Sequence, residues 1–571
     1  MNNSNAAISP DEAGFRKLIN RRMIVLRALL VTSGVVRDPV IILTFLNSLS
    51  RAAMMFAINE TARTASDGMG WSVVLLVVSA ITMLACGYLT RVRVHRLIVR
   101  VKEAMRLRMS RALLRANIDF LLSSSHGQVF SAMTSEVDEV SGAIINVIES
   151  IEAVVIVCIA VPYLFWISPS AALVTSGAMV LGGLGYLIFD RPARKEMVIT
   201  SRARAEFCDR VSDMLAGWKE VRLRDTRRHA IEVETQRVIQ KFGASANRAE
   251  ELYSMSTAFG QAAVVLMLCF VVVVVPLLPG GNTAVMFQIL TVLFLTSGPI
   301  ELLFNAFPRM SRAENAYFRI QVVEAELLRM QSPGLQGEIV PRGSFQSLEL
   351  RNVMATVSEA GNRDSDPFVL GPVNLTFKPG ETIFICGGNG SGKTTLLGLI
   401  TGLRNPDSGE ILLDGASMDP ETKAGFRELF SGVFSGFHLF DRTFGMTDQE
   451  VSLLKERIAE LKLSDRVSLH EDRFSTLTLS AGQRRRLALA VALAESRPII
   501  ILDEFAADQD PANRAYFYDV LVPELAASGQ LVIAVTHDDH QFGKCDRLIK
   551  MEAGKIVSDE PQSRGTLAKT P

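Results

Sequence analysis

The sequence predicts two unlike parts in one chain: an α-helical domain that spans a membrane about six times, followed by an α/β domain built around a phosphate-binding loop. Three observations predict it. Charge-free apolar stretches of membrane-spanning length occur only before residue 330, short apolar strand-like runs occur after 347, and at 387–395 a glycine-rich loop joins one such run to an apolar helix. At 571 residues the chain exceeds what one core serves, so the 48% hydrophobic and 21% charged fractions average over both parts. The domains fall at 1–330 and 347–571, with the Pro/Gly-punctuated segment 331–346 as linker.

In the first part, residues 68–90 carry no charge and, at about 1.5 Å per helical residue, cross a hydrocarbon core of roughly 30 Å. Residues 153–189 are also charge-free but nearly twice the length one helix needs, and Ser168-Pro169-Ser170 interrupts them, which predicts two spans joined by a tight turn. Residues 252–300 repeat the pattern, with the break at Pro279-Gly280-Gly281-Asn282. The remaining span is placed at 39–59, where Arg27, Arg37, Asp38 and Arg51 lie in or near an otherwise apolar stretch. Basic residues crowd the N-terminus, 91–115 and 191–228, while the turns at Ser168 and Gly280 carry no charge. By the positive-inside rule both ends then face the cytoplasm, which makes this a multi-pass protein of the cytoplasmic membrane. The polar opening, without a small-residue cleavage site, reads as having no cleaved signal peptide. Segments 91–115 and 202–241 keep helical apolar spacing amid dense charge, so the helices are expected to continue beyond the bilayer.

The second part holds the chemistry. Strand 382–386 runs into Gly387, Gly388, Asn389, Gly390, Ser391, Gly392, Lys393, Thr394 and Thr395, and helix 396–403 follows. Such a loop closes backbone N–H groups around phosphate oxygens, Lys393 reaches the terminal phosphates of ATP and Thr394 is placed to ligate Mg2+. A second apolar strand, 499–502, ends in Asp503 and Glu504, at the edge where an open α/β sheet presents its ligands. Asp503 is expected to hold magnesium through water, and Glu504 to orient the attacking water. The zero net charge gives no support for a nucleic-acid partner, and the six scattered cysteines indicate neither a disulfide framework nor a zinc site.

Leu479, Ser480, Ala481, Gly482 and Gln483 open an Arg-rich helix upstream of that strand. With the phosphate loop and Asp503-Glu504 they resemble the ATP-binding cassette family, whose signature is close to LSGGQ, with Ala481 replacing one glycine. The resemblance covers the chain from about Ser347 and implies more. The signature of one subunit would close on ATP held by another, residues 506–510 would form the D-loop with Asp510, and His537, after strand 531–535, would be the switch histidine. Two positions depart from the family: Ser435 stands where a Q-loop glutamine is usual, and Val357 where an adenine-stacking aromatic is usual.

One cassette behind about six spans is similar to exporter half-units, which implies a homodimer if no partner chain exists. Residues 119–127 and 131–140 look like the first intracellular loop of that exporter fold, while 214–223, 297–301 and 433–440 resemble the group that exports microcin J25, syringomycin and pyoverdine precursors. The resemblance implies a peptide-like substrate; a lipid or multidrug exporter, or a membrane-tethered regulatory ATPase, are the alternatives. Span lengths also bring Glu149, Glu152, Glu301 and Arg51 into or near the membrane, either lining an inward-facing cavity or pairing helix to helix.

Overall fold

The computed structural model describes residues 38–63, 70–116, 126–274, 276, 283–329, 344–357, 367–418 and 423–562, some side chains within helices excepted. The chain divides into two compact units, Met1–Leu114 with Ser125–Glu326, and Arg115–Ser124 with Leu327–Pro571.

The first unit is helical, since apolar sequence in a bilayer must satisfy its backbone polar groups internally. Its long helices are α1 (Val40–Arg63), α2 (Trp71–Leu114), α3 (Val137–Ile167), α4 (Pro169–Ala216), α5 (Asp225–Val274) and α6 (Thr283–Arg329). At 44, 48, 50 and 47 residues, α2, α4, α5 and α6 are about twice as long as a bilayer core requires, as 91–115 and 202–241 led to expect for the first three. Five helices among the described residues are apolar and long enough to cross a membrane, and the expected span at 170–189 lies within the continuous α4. The turn between α3 and α4 falls at Ser168, whose extended backbone ends one helix while Pro169, which needs no N–H partner there, starts the next. A core of Met55, Ala160, Leu164, Ala172, Met267, Val271, Ile289, Val292 and Leu293 ties α1 and α3–α6 together.

The segment 202–241 is helical, as expected, but broken twice. α4 ends at Ala216, a six-residue helix covers Trp218–Leu223, and α5 starts at Asp225. Gly217 has low helix propensity and Arg224 is extended, so the segment turns twice while keeping apolar spacing. The segment 131–140 is helical with a π-type turn at Ala132–Glu136, while 117–125, the linker residues 330–343 and the turn 277–282 lie outside the described residues.

The second unit has two principal sheets. The first is antiparallel, in the order β2-β1-β4-β5, from β1 (Leu348–Val357), β2 (Phe368–Phe377), β4 (Ser408–Leu413) and β5 (Ala416–Ser417). The second contains β3 (Thr382–Gly387), β6 (Phe430–Val433), β7 (Ile499–Asp503), β8 (Leu531–Val535), β9 (Arg547–Glu552) and β10 (Lys555–Pro561). Their order is β10-β9-β3-β8-β7-β6, parallel from β9 to β6 with β10 antiparallel at the edge. β7 and β8 are buried along their whole lengths, which is why they read as unbroken apolar runs rather than alternating ones. One consequence governs the site: β3, β8, β7 and β6 are neighbours, and their carboxyl ends lead into the phosphate loop, His537, Glu504 and Ser435.

Candidate nucleotide site

The phosphate loop leaves β3 at Gly387 and enters α7 (Lys393–Ile400), whose preceding residue, Gly392, has the left-handed φ of 100°. Gly387 is sterically required as well, because a Cβ there would lie 2.3 Å from Met551 O. Gly388, Asn389, Gly390 and Thr394 are exposed, while Lys393 is only 7% exposed and donates to Gly387 O at 2.9 Å and Gly388 O at 3.0 Å. Its ammonium is thus held over the loop by carbonyl oxygens that a phosphate can outcompete. Ser391 is 4% exposed, and among the described residues its hydroxyl has no hydrogen-bond partner. A buried hydroxyl left unmet inside a glycine-rich cradle fits a loop that completes its hydrogen bonds with phosphate oxygens.

Asp503 is 2% exposed at the end of β7, and its Oδ2 accepts from the Ser435 backbone N–H at 3.0 Å. The Ser435 departure therefore leaves a main-chain bond that any residue there could make. Glu504 follows in the left-handed conformation, φ 53°, and its Oε1 lies 3.2 Å from His537 Nε2. His537 is held from below. Tyr518, fully buried, hydrogen-bonds Thr536 Oγ1 at 2.7 Å and donates to Asp538 at 3.2 Å, and burial drives its hydroxyl pKa far above the ordinary tyrosine value.

After α8 (Asp448–Glu460), the signature residues begin α9 (Ala481–Ala494). Ser480 caps that helix by accepting from Gln483 N, and Gln483 Oε1 accepts from Ser480 N, a reciprocal capping box. Leu479 lies partly buried against the neighbouring core. Gly482 could not be larger, since a Cβ would lie 2.7 Å from Asp508 O; replacing the family's other glycine with Ala481 meets no such limit. Among the described residues no hydrogen bond joins 479–483 to the phosphate loop of the same chain. Asp510 caps the next helix, its carboxyl held below the usual range by the Asn513 backbone N–H.

Two neighbours, Phe368 and Arg485, escaped the sequence reading, and a third, Gln509, fell within the expected D-loop without a role of its own. Phe368 on β2 is the aromatic beside the loop, 3.0 Å from a Cβ built on Gly392, whereas Val357 ends β1 and the residues after it are outside the described set. Gln509 donates to Gly482 O at 3.3 Å, and Arg485 bonds both the Glu504 carbonyl and Asp508. Only the aromatic type of Phe368 near the loop could have signalled any of them in advance.

In the membrane unit, Glu152 Oε1 lies 3.4 Å from Arg51 Nη2 and accepts from Asn47 Nδ2 at 2.9 Å. Glu301 Oε1 accepts from Gln261 Nε2 at 3.0 Å. Glu149 is half-buried on the turn of α3 before Glu152.

Residues 370–507 match the family described as ABC transporter, and residues 39–298 match the ABC transporter transmembrane region. The ATP-binding protein SyrD of Pseudomonas syringae pv. syringae is 31% identical over 484 residues, 81% of this chain and 83% of the relative. An ATP-dependent lipid A-core flippase of Paraburkholderia xenovorans is 23% identical over 506 residues, 85% of this chain and 81% of the relative. The mycobactin import ATP-binding/permease protein IrtB of Mycolicibacterium thermoresistibile is 34% identical over 210 residues, 34% and 35% of the two chains. The fold matches a bacterial Atm1-family ABC exporter solved with ATP bound, at TM-score 0.77 and 16% identity over 94% of this chain and 96% of that one. With a membrane region and one cassette in sequence, the chain belongs to the ABC transporter family as a half-transporter with the exporter-type fold, a multi-pass membrane ATPase.

Proposed function

We propose that the protein exports a peptide-like natural product, a cyclic peptide or siderophore precursor, as a homodimer that sandwiches two ATP molecules. The resemblance of 214–223, 297–301 and 433–440 to the cyclic-peptide exporter group, together with the near full-length similarity to SyrD, supports this substrate class. The lipid A-core flippase, similar over comparable length, favours a lipid as the second reading.

The pairing of Glu504 with His537 at the end of β7 is the observation that carries the catalytic proposal. Glu504 polarises and orients the water that attacks the γ-phosphorus, and His537 holds the carboxylate in place and faces the developing charge. Lys393, the loop amides and the Ser391 hydroxyl bind the β- and γ-phosphates. Among the described residues no three His, Cys, Asp or Glu side chains gather to cage a metal. Thr394 and Asp503 are the residues that would hold Mg2+, which would neutralise phosphate charge. Leu479–Gln483 of one subunit meet the ATP of the other, the helix N-terminus facing the γ-phosphate.

Inside-out proteoliposomes test the reading: ATP-dependent uptake of a labelled cyclic lipopeptide, without ATP-dependent movement of a labelled lipid, is the expected result. Lipid translocation alone would establish the second reading, and ATP hydrolysis without movement of either would favour a regulatory ATPase.

A further inference from the structure

The sequence reading assigned nothing to the three arginines that follow the signature, Arg484, Arg485 and Arg486. Arg485 differs from its neighbours in what it touches. Its side chain is 11% exposed, Nη1 donates to the main-chain carbonyl of Glu504 at 2.8 Å, and the same nitrogen lies 3.0 Å from Asp508 Oδ2. The carbonyl it holds belongs to the residue with φ 53°, a conformation that a non-glycine residue keeps only when its surroundings over-determine it. Glu504 is fixed on its other side by its own N–H, which donates to Val535 O at 3.0 Å. The peptide carrying the glutamate is therefore pinned between β8 and α9, and Arg485 is the α9 side of that clamp.

Asp508 supplies the other half of the argument. Its carbonyl stands where a side chain on Gly482 would collide, and the next residue, Gln509, donates to Gly482 O. The first turn of α9, the Glu504 peptide and the segment 507–509 thus form one block, tied by a nearly buried guanidinium.

We infer that Arg485 is a positioning residue that couples the signature helix to the backbone of Glu504, so that seating of the signature on one ATP sets the carboxylate serving the other. This rests on the two-cassette sandwich proposed above: the signature of a subunit serves its partner's nucleotide, and Glu504 serves its own. The contacts of Arg485 run to the Glu504 carbonyl and to Asp508. It acts by fixing where the Glu504 main chain, and through it the side chain, stands when the cassettes close.

The test uses the full-length protein in lipid nanodiscs, comparing wild type with Arg485→Gln, Arg485→Lys, Asp508→Asn and Ser480→Arg. Arg485→Gln is expected to lower kcat about tenfold or more with KM for ATP within about twofold, and to bring the Hill coefficient for ATP toward one. Arg485→Lys, which keeps the charge and a donor, is expected to recover most of kcat, and Asp508→Asn combined with Arg485→Gln to cost less than the sum of the two. Fluorescent-nucleotide binding and thermal melting report whether the variants fold and load. Wild-type kcat and cooperativity in Arg485→Gln, or a loss explained by lower melting temperature and weaker nucleotide binding with no rescue by lysine, would overturn the inference. Ser480→Arg separates the two levels. If it abolishes hydrolysis while Arg485→Gln is silent, only the Arg485 role falls; if it hydrolyses normally, the sandwich falls and the coupling with it.

Discussion

Glu504 occupies an uncomfortable backbone position, and the interactions around it explain why a carboxylate is kept there. Its N–H, carbonyl and side chain are each engaged, by Val535 O, Arg485 and His537. An amide keeps that shape but cannot polarise water as a carboxylate does. Glu504→Gln should therefore retain ATP affinity within about threefold while steady-state hydrolysis falls a hundredfold or more, measured by nucleotide binding beside phosphate release. Lys393→Ala should do the opposite. It removes the cation that the loop carbonyls of Gly387 and Gly388 hold, so the dissociation constant for ATP should rise at least about tenfold. Ser435→Gln offers a finer check. The Ser435 N–H that meets Asp503 belongs to the main chain and survives any substitution, so the longer amide is expected to be tolerated and to raise hydrolysis through better magnesium and water coordination. A magnesium titration of ATPase activity reads the outcome. These assignments were legible because phosphate chemistry demands particular residue types at fixed spacing. Arg485 was not, since its partner is a carbonyl, which every residue carries.

At the scale of elements, the sheet order decides whether the strand-end residues meet. β6 reaches β7 through the pair Gly432↔Ile501, and a Cβ on Gly432 would lie 2.5 Å from Ile501 O. Gly432→Ala must push β6 away from β7, weakening the ladder that delivers Ser435 to Asp503. The expected result is a cassette melting several degrees lower, equivalent to about 1–3 kcal/mol, with a loss of hydrolysis larger than melting alone explains. Scanning calorimetry beside ATPase assays checks it. Strands β3, β7 and β8 were visible in the sequence because complete burial writes each as a short apolar run. The double turn at Gly217 and Arg224 was hidden, since both flanks keep helical spacing and only one glycine marks the break.

At the scale of the whole molecule, the acids of the membrane unit differ in what they meet. A charge at bilayer depth costs about 2.5–3.5 kcal/mol on insertion scales unless it meets water or a partner. Hydropathy made these residues conspicuous in the sequence, but their partners lie on other helices and could not be read from it. Glu152 has Arg51 and Asn47 across from α1, so an amide there leaves a partly buried guanidinium without its counter-charge. Among the described residues Glu301 hydrogen-bonds the neutral Gln261 and is exposed, and Glu149 is half-buried near the same level as Glu152. We propose that Glu149 and Glu301 present their charge to the inward cavity and attract cationic or polar parts of the substrate, with Arg51 and Glu152 forming its charged wall. Glu152→Gln should then lower the yield of folded protein, and Arg51→Gln introduced with it should restore part of that yield by removing the stranded charge. Glu149→Gln and Glu301→Gln should instead fold normally and transport less substrate per ATP hydrolysed, by about threefold to tenfold, with the loss greatest for the most cationic substrates. Transport and hydrolysis measured together in proteoliposomes decide the matter. Unchanged transport in both latter variants would remove them from the cavity and leave all the membrane acids as ties between helices.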